Sequence, residues 1–219
     1  MAELVIPEAE VLYVTDAYCG WCYGFGPTLH TFYEANRHRV PFRVVSGGLF
    51  VGELRLPIRS YGHIEEVNAR IVRRMGVTFG DPYKALLREG SFVQDSAAAA
   101  AGLAALRDQA PDLSIEFISA MQRAFYRDGL NLSDAATLAM IARDYGLDSE
   151  RVVSFFTGPE GVAAARQDFS LARELGVSSY PTLLVRRGEV VSRLPSVGNS
   201  PAALTRRLDV ALDDMCRLA

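Results

Sequence analysis

Cysteine, lysine, tryptophan and histidine are all scarce in this 219-residue chain, with three, one, one and three residues. Three cysteines are too few to staple a secreted fold and suit a reducing compartment. Lys84 is the single lysine, and the arginines that supply the remaining positive charge do not interleave with aromatics into a stripe that would grip nucleic acid. The net charge of −3 points the same way. No apolar run approaches the ~18 residues needed to span a bilayer. The first residues, Met1 to Pro7, show neither a basic n-region nor a long apolar h-region. These absences predict a cytoplasmic protein without a nucleic-acid or membrane partner. No repeat, low-complexity linker or heptad seam is visible, so the oligomeric state is left open.

What is present is a Cys-x-x-Cys motif, Cys19-Gly20-Trp21-Cys22, directly after a strand-like run, Val11 to Thr15. A strand feeding a helix that opens with two cysteines places both sulfurs on one side of its first turn, where they can close a small disulfide. Cys19 is expected at the exposed helix N-terminus, where unpaired N–H groups favour a thiolate, with Cys22 deeper. Zinc is a poor alternative, because a structural site takes four ligands. The third cysteine, Cys216, lies far away, and His30, His38 and His63 form no ligand pair. A purely structural disulfide is also disfavoured, since closing so short a loop stabilises little. Cys216 reads as a semi-buried helix residue without a role.

Downstream, Gly176 to Tyr180 leads into Pro181 and a strand-like run, Thr182 to Val185. Proline is tolerated at the head of a strand because no ladder hydrogen bond is lost there. The two motifs, in this order, resemble the thioredoxin superfamily. The segment Asp16-Ala17-Tyr18-Cys19-Gly20-Trp21-Cys22-Tyr23-Gly24-Phe25 resembles its DsbA-like branch, with Ala17 where the branch often has proline. The resemblance implies an α/β thioredoxin fold, a central mixed sheet flanked by helices, interrupted by a large all-helical insertion. It also implies a cis Tyr180–Pro181 bond packed against the active-site sulfurs.

The rest of the chain fits. Val11–Thr15, Cys19 to about Arg39 (kinked at Pro27) and Phe42–Ser46 read as β-α-β. Helices are expected near 63–75, 80–89, 94–109, 113–127, 133–144, 148–156 and 159–175, with Gly, Pro, Ser and Asp at the breaks. Thr182–Arg186 and Glu189–Arg193 read as a hairpin turning at Arg187-Gly188. Ser200-Pro201 opens a last helix. The expected division is a discontinuous thioredoxin-like domain, 1–61 and 176–219, around an inserted helical domain, 62–175. The insertion would cap the active-site face, with Tyr18, Trp21, Tyr23 and Phe25 lining a groove.

On this resemblance Cys19 forms a mixed disulfide with substrate and Cys22 resolves it. Pro181 leaves the Tyr180 backbone free for an extended substrate. Gly20 and Trp21 set the potential. Strongly oxidising relatives carry histidine before the second cysteine, where this chain has Trp21. Asp16, three residues before Cys19, opposes thiolate formation if unpaired. A reductase or isomerase acting on protein or small-molecule disulfides is therefore expected, without a cofactor or metal, with glutathione as a possible co-substrate. Two rivals are a glutathione-dependent isomerase or transferase of the same insertion-bearing fold, and a non-catalytic chaperone or thiol-binding module.

Overall fold

The computed structural model describes residues 9–217, except the side chain of Cys216. The Met1–Pro7 segment and the reading of Cys216 lie outside the described residues. Four strands form one mixed sheet in the order β2-β1-β3-β4. They are β1 (Glu10–Thr15), β2 (Phe42–Ser46), β3 (Thr182–Arg187) and β4 (Val190–Leu194). β1 runs parallel to β2 and antiparallel to β3, and β3 pairs antiparallel with β4.

β1 is central and covered on both faces, which is why it reads as a continuous apolar run. Val11 and Tyr13 face one core with Val44 and Val185, against Phe25, Leu29 and Phe32 of α1 (Gly20–Asn36) and Leu204 and Leu208 of α9 (Pro201–Arg217). Leu12 and Val14 face the other side with Val45 and Leu184, against Ala172 of α8 (Pro159–Glu174). Thus α8, which the sequence groups with the insertion, forms the layer behind the sheet while also packing on α4 (Ser96–Gln109).

Between β2 and α8 lie α2 (Ile64–Met75), α3 (Asp81–Glu89), α4, α5 (Ser114–Tyr126), α6 (Ala135–Asp144) and α7 (Ser149–Thr157). Three of them start on aspartate caps. Asp95 accepts from the Ala97 and Ala98 N–H groups, Asp134 from Ala136, and Asp148 from Glu150 and Arg151. Gly76 and Gly90 end α2 and α3 in left-handed conformation.

The free edge of β2 is closed by a buried ion pair. Asp168 of α8 accepts from the Ser46 N–H and from Arg107 of α4, both at 2.9 Å, and Arg107 also donates to the Val44 carbonyl. An edge strand whose outward groups are taken up cannot recruit another chain.

Several boundaries differ from the sequence reading. α1 begins at Gly20, with Cys19 as its N-cap, and ends at Asn36. It continues through Pro27, which costs one N–H donor without ending the helix. The hairpin turns at Gly188-Glu189, because Arg187 pairs with Val190 and Gly188 takes a positive φ of 57°. Short 3-10 turns at Gly52–Leu54, Ile58–Ser60 and Pro111–Leu113 have no counterpart in the sequence reading. They are too short for a periodic signal.

Candidate active site

The end of β1 delivers Asp16, Ala17 and Tyr18 to the N-terminus of α1. The Cys22 N–H donates to the Cys19 sulfur at 3.4 Å, so Cys19 caps its own helix. The Cys19 thiol in turn lies 3.7 Å from the Tyr180 carbonyl, as donor to acceptor. The Tyr180–Pro181 peptide is cis. Tyr180 is seated by its own ring: its hydroxyl donates to the Gly47 carbonyl at 2.6 Å, and a Cβ on Gly47 would lie 2.0 Å from the ring. The glycine after β2 is therefore required by the close approach of this ring. Burial, with Asp16 and the two thiols nearby, pushes the Tyr180 phenol up to about 12, so it stays a donor.

Cys19 is not at an exposed helix end. It is 5% exposed and Cys22 is fully buried. α2, which the insertion lays across α1, covers the first turns of that helix. A Cβ on Gly20 would meet Ile71 at 2.9 Å, and one on Gly24 would meet Ile71 at 2.7 Å. Gly20 and Gly24 lie one turn apart and form a flat strip into which Ile71 fits. The hydrogen-bonding Cys22 thiol, then burial, hold the Cys19 thiol well above its ordinary range, while the Cys22 N–H pulls weakly the other way. The expected dipole-favoured thiolate is thus outweighed in this dithiol state, because a buried neighbouring thiol offers no charge compensation.

Asp16 is buried and partnered. Its carboxylate accepts from the Tyr18 N–H at 2.9 Å and from the Leu49 N–H at 2.8 Å. Burial raises its carboxyl, and these backbone bonds counter part of the rise. Asp16 thereby joins the turn before Cys19 to the loop after β2. That loop is fixed a second time at Ser96, whose hydroxyl accepts from the Phe50 N–H at 2.9 Å. Insertion side chains hold the neighbouring carbonyls: Tyr126 and Gln94 donate to Tyr18, and Gln122 donates to Asp16.

Cys19 opens into a pocket of about 210 Å³ whose walls include Trp21, Leu49, Phe50, Ile64 and Gln94. Of the residues singled out from the sequence, Tyr18, Cys19, Gly20 and Trp21 line this pocket, while the Cys22 N–H and the Tyr180 carbonyl, just before Pro181, meet the Cys19 sulfur and Asp16 holds the Tyr18 N–H. Two of the aromatics do not line this pocket. Phe25 is fully buried in the core beside Tyr13. Tyr23 stacks on Tyr126, donates to the Thr78 carbonyl at 2.8 Å, and lines a different cavity of about 410 Å³ with His30 and Glu116. Sequence reasoning missed the far wall: Leu49, Phe50, His63, Asn68 and Gln94 carry no motif and reach Cys19 only through the fold. Among the described residues no cluster of side chains is suited to hold a metal, and no helix is long and apolar enough to cross a membrane.

No curated protein sequence matches the chain. Among solved structures, a putative protein disulfide isomerase from Nitrosomonas europaea shares the fold, with a TM-score of 0.83, 23% identity, and coverage of 94% of this chain and 98% of that one. The cytosolic disulfide reductase DsbM from Pseudomonas aeruginosa is similar at a TM-score of 0.78 and 26% identity, over 96% of this chain and 100% of that one. The same reductase with GSH gives 0.76 and 25%, over 93% and 99%. The family model of the DSBA-like thioredoxin domain matches residues 10–205. The chain therefore belongs to the DSBA-like thioredoxin domain family and is a thiol-disulfide oxidoreductase.

Proposed function

We propose that this enzyme works as a reductase of low-molecular-weight disulfides, through Cys19 and Cys22. One observation carries the reading: Cys19 is a 5% exposed residue that lines a pocket of about 210 Å³. A folded or unfolded protein chain needs an open face around the attacking sulfur, whereas a pocket of this size admits a small molecule.

The Cys19 thiolate attacks one sulfur of RS–SR. The S–S bond breaks, a Cys19–SR mixed disulfide forms, and the first RS⁻ leaves and takes a proton. Cys22, having lost its proton, then attacks the Cys19 sulfur. The Cys19–Cys22 disulfide forms and the second RSH leaves. The substrate has gained two electrons and two protons, and a thiol reductant from outside the chain must return them.

The raised Cys19 thiol supports the direction. Strong oxidants of this kind stabilise their reduced form, so withholding stabilisation from the thiolate shifts the couple toward reduction of substrate. The uncharged Trp21 between the cysteines acts the same way. DsbM, a cytosolic disulfide reductase with a GSH-bound structure, makes glutathione disulfide the first substrate to try and the cytoplasm the expected compartment.

The test uses Trp21, the only tryptophan in the chain and a wall of the Cys19 pocket. Its fluorescence, followed through a glutathione redox titration, should give a potential at or below about −220 mV, the upper end of the cytosolic poise. A potential near about −120 mV, the range of a strong oxidant, would overturn the reductase reading. Faster turnover of insulin than of glutathione disulfide would overturn the small-substrate part.

A further inference from the structure

Gln94 is 2% exposed and its amide oxygen has no hydrogen-bond partner within the protein among the described residues. Its amide nitrogen donates one N–H, at 3.5 Å, to the carbonyl of Tyr18, the residue directly before Cys19. That carbonyl also accepts from the Tyr126 hydroxyl, so it orients Gln94 from a fixed point. The amide atom left without a partner is the oxygen, and the residue lines the same pocket as Cys19. A buried acceptor left unmade costs about 1–3 kcal/mol, and such a group in a native fold calls for a reason.

The surroundings are built to hold Gln94 still. Asp95 next to it caps α4 and pairs with Arg55 at 3.1 Å. Ser96 is bonded in both directions to Phe50, accepting through its hydroxyl at 2.9 Å and donating through its N–H at 3.1 Å. The Ile58 N–H donates to the Phe92 carbonyl at 2.7 Å. Gln94 therefore sits on a pinned segment, in a pocket whose apolar lining includes Leu49, Phe50 and Ile64. An acceptor in such a pocket selects a ligand with an N–H to give.

We propose that Gln94 is a substrate-binding residue: its free amide oxygen accepts the backbone N–H of the cysteinyl group whose sulfur joins Cys19. That nitrogen is separated from the sulfur only by Cα and Cβ, so a ligand tethered at Cys19 brings its N–H to the same small pocket. This rests on the reductase reading above and adds to it the kind of disulfide preferred: one made of cysteinyl amides, as in a short peptide, over one made of simple alkyl thiols. The bond would relieve the orphaned acceptor in the mixed disulfide, where orientation of the leaving sulfur matters.

Two disulfides test this on the full chain, with dithiothreitol as reductant: diacetylcystine bis(methylamide), and its counterpart methylated on both cysteine nitrogens. In the wild type, N-methylation should lower kcat/KM about tenfold, mainly through KM. In Gln94→Met, which keeps length and loses the amide, the same methylation should cost no more than about twofold. Gln94→Asn, with the amide withdrawn by one carbon, should show a similarly reduced penalty and serves if the methionine variant does not fold. An equal penalty in wild type and variant, or no penalty in the wild type, would overturn the inference alone. A wild type that reduces neither disulfide would overturn the reductase reading and this inference with it.

Discussion

Cys19 and Tyr180 stand 161 residues apart in sequence, yet the Cys19 thiol lies 3.7 Å from the Tyr180 carbonyl. One sits at the N-cap of α1, the other two residues before β3, and the antiparallel β1–β3 pairing joins them. The contact sets two constraints on the chemistry. The sulfur has a carbonyl on one side and the Cys22 N–H, at 3.4 Å, on the other. In the proposed scheme the disulfide substrate reaches this sulfur from the pocket that Cys19 lines.

Cys22 is fully buried, so its one accessible partner in the proposed sequence is the Cys19 sulfur. Cys22→Ser should accumulate a Cys19 mixed disulfide after exposure to glutathione disulfide, visible as one glutathione adduct by mass spectrometry. Cys19→Ser should form no adduct and lose reductase activity. Full activity in Cys19→Ser would sink the scheme.

The Cys22 thiol and burial together raise the Cys19 thiol. Alkylation of Cys19 by iodoacetamide should therefore rise with pH through a midpoint above the ordinary thiol value of about 8.5. Because the folded value lies above the unfolded one, the associated stability is present at neutral pH and is lost as pH climbs through the folded midpoint. A midpoint below about 7 would contradict the closed dithiol geometry and point to a stabilised thiolate.

Asp16 is the carboxyl case with the unusual sign. Burial raises it above the usual carboxylate value, so its stability contribution is largest in acid and declines as pH rises through the folded pKa. Asp16→Asn loses one acceptor at every pH but escapes this decline. Its stability relative to wild type should improve from about pH 4 to about pH 7 in urea unfolding. A flat or opposite trend would mean that the Leu49 and Tyr18 N–H bonds outweigh burial.

The strip formed by Gly20 and Gly24 leaves no room beneath Ile71. Gly24→Ala should destabilise the fold by about 1–3 kcal/mol through overpacking, despite alanine's better helix propensity. Adding Ile71→Ala should recover part of that loss in a double-mutant cycle. Additive losses in denaturant melts would show that α2 is not seated on this strip.

Asp168 holds both Arg107 and the Ser46 N–H. Asp168→Ala should cost about 3–5 kcal/mol, because it strands a largely buried guanidinium and opens the β2 edge. Replacing both, Asp168→Leu with Arg107→Met, should be milder than Asp168→Ala alone. Equilibrium unfolding checks the order.

The two motifs and most elements were legible because they rest on local chemistry. The run Val11 to Thr15, the aspartate cap at 134, and the glycine stops at 76 and 90 act within a few residues of themselves. Boundaries slipped where pairing decided them, as at Arg187, whose membership of β3 depends on Val190 across the turn. The exposure expected for Cys19 failed for a similar reason. Nothing within a helical turn of Cys19 announces Ile71, which covers its helix from 52 residues downstream.

The sequence by itself determined the reacting groups: two thiols spaced by one helical turn after a strand, a proline at the head of a later strand, and no charge between the cysteines. Local covalent spacing and helix geometry suffice for that. Only the tertiary structure decided the environment of those groups. It buried both cysteines, seated α2 on the strip of Gly20 and Gly24, partnered Asp16 with Leu49, turned Tyr23 and Phe25 away, and brought Gln94 to the pocket wall. Burial and hydrogen-bond partnership are properties of neighbours in space, and here those neighbours come from the helical insertion and from the loop after β2.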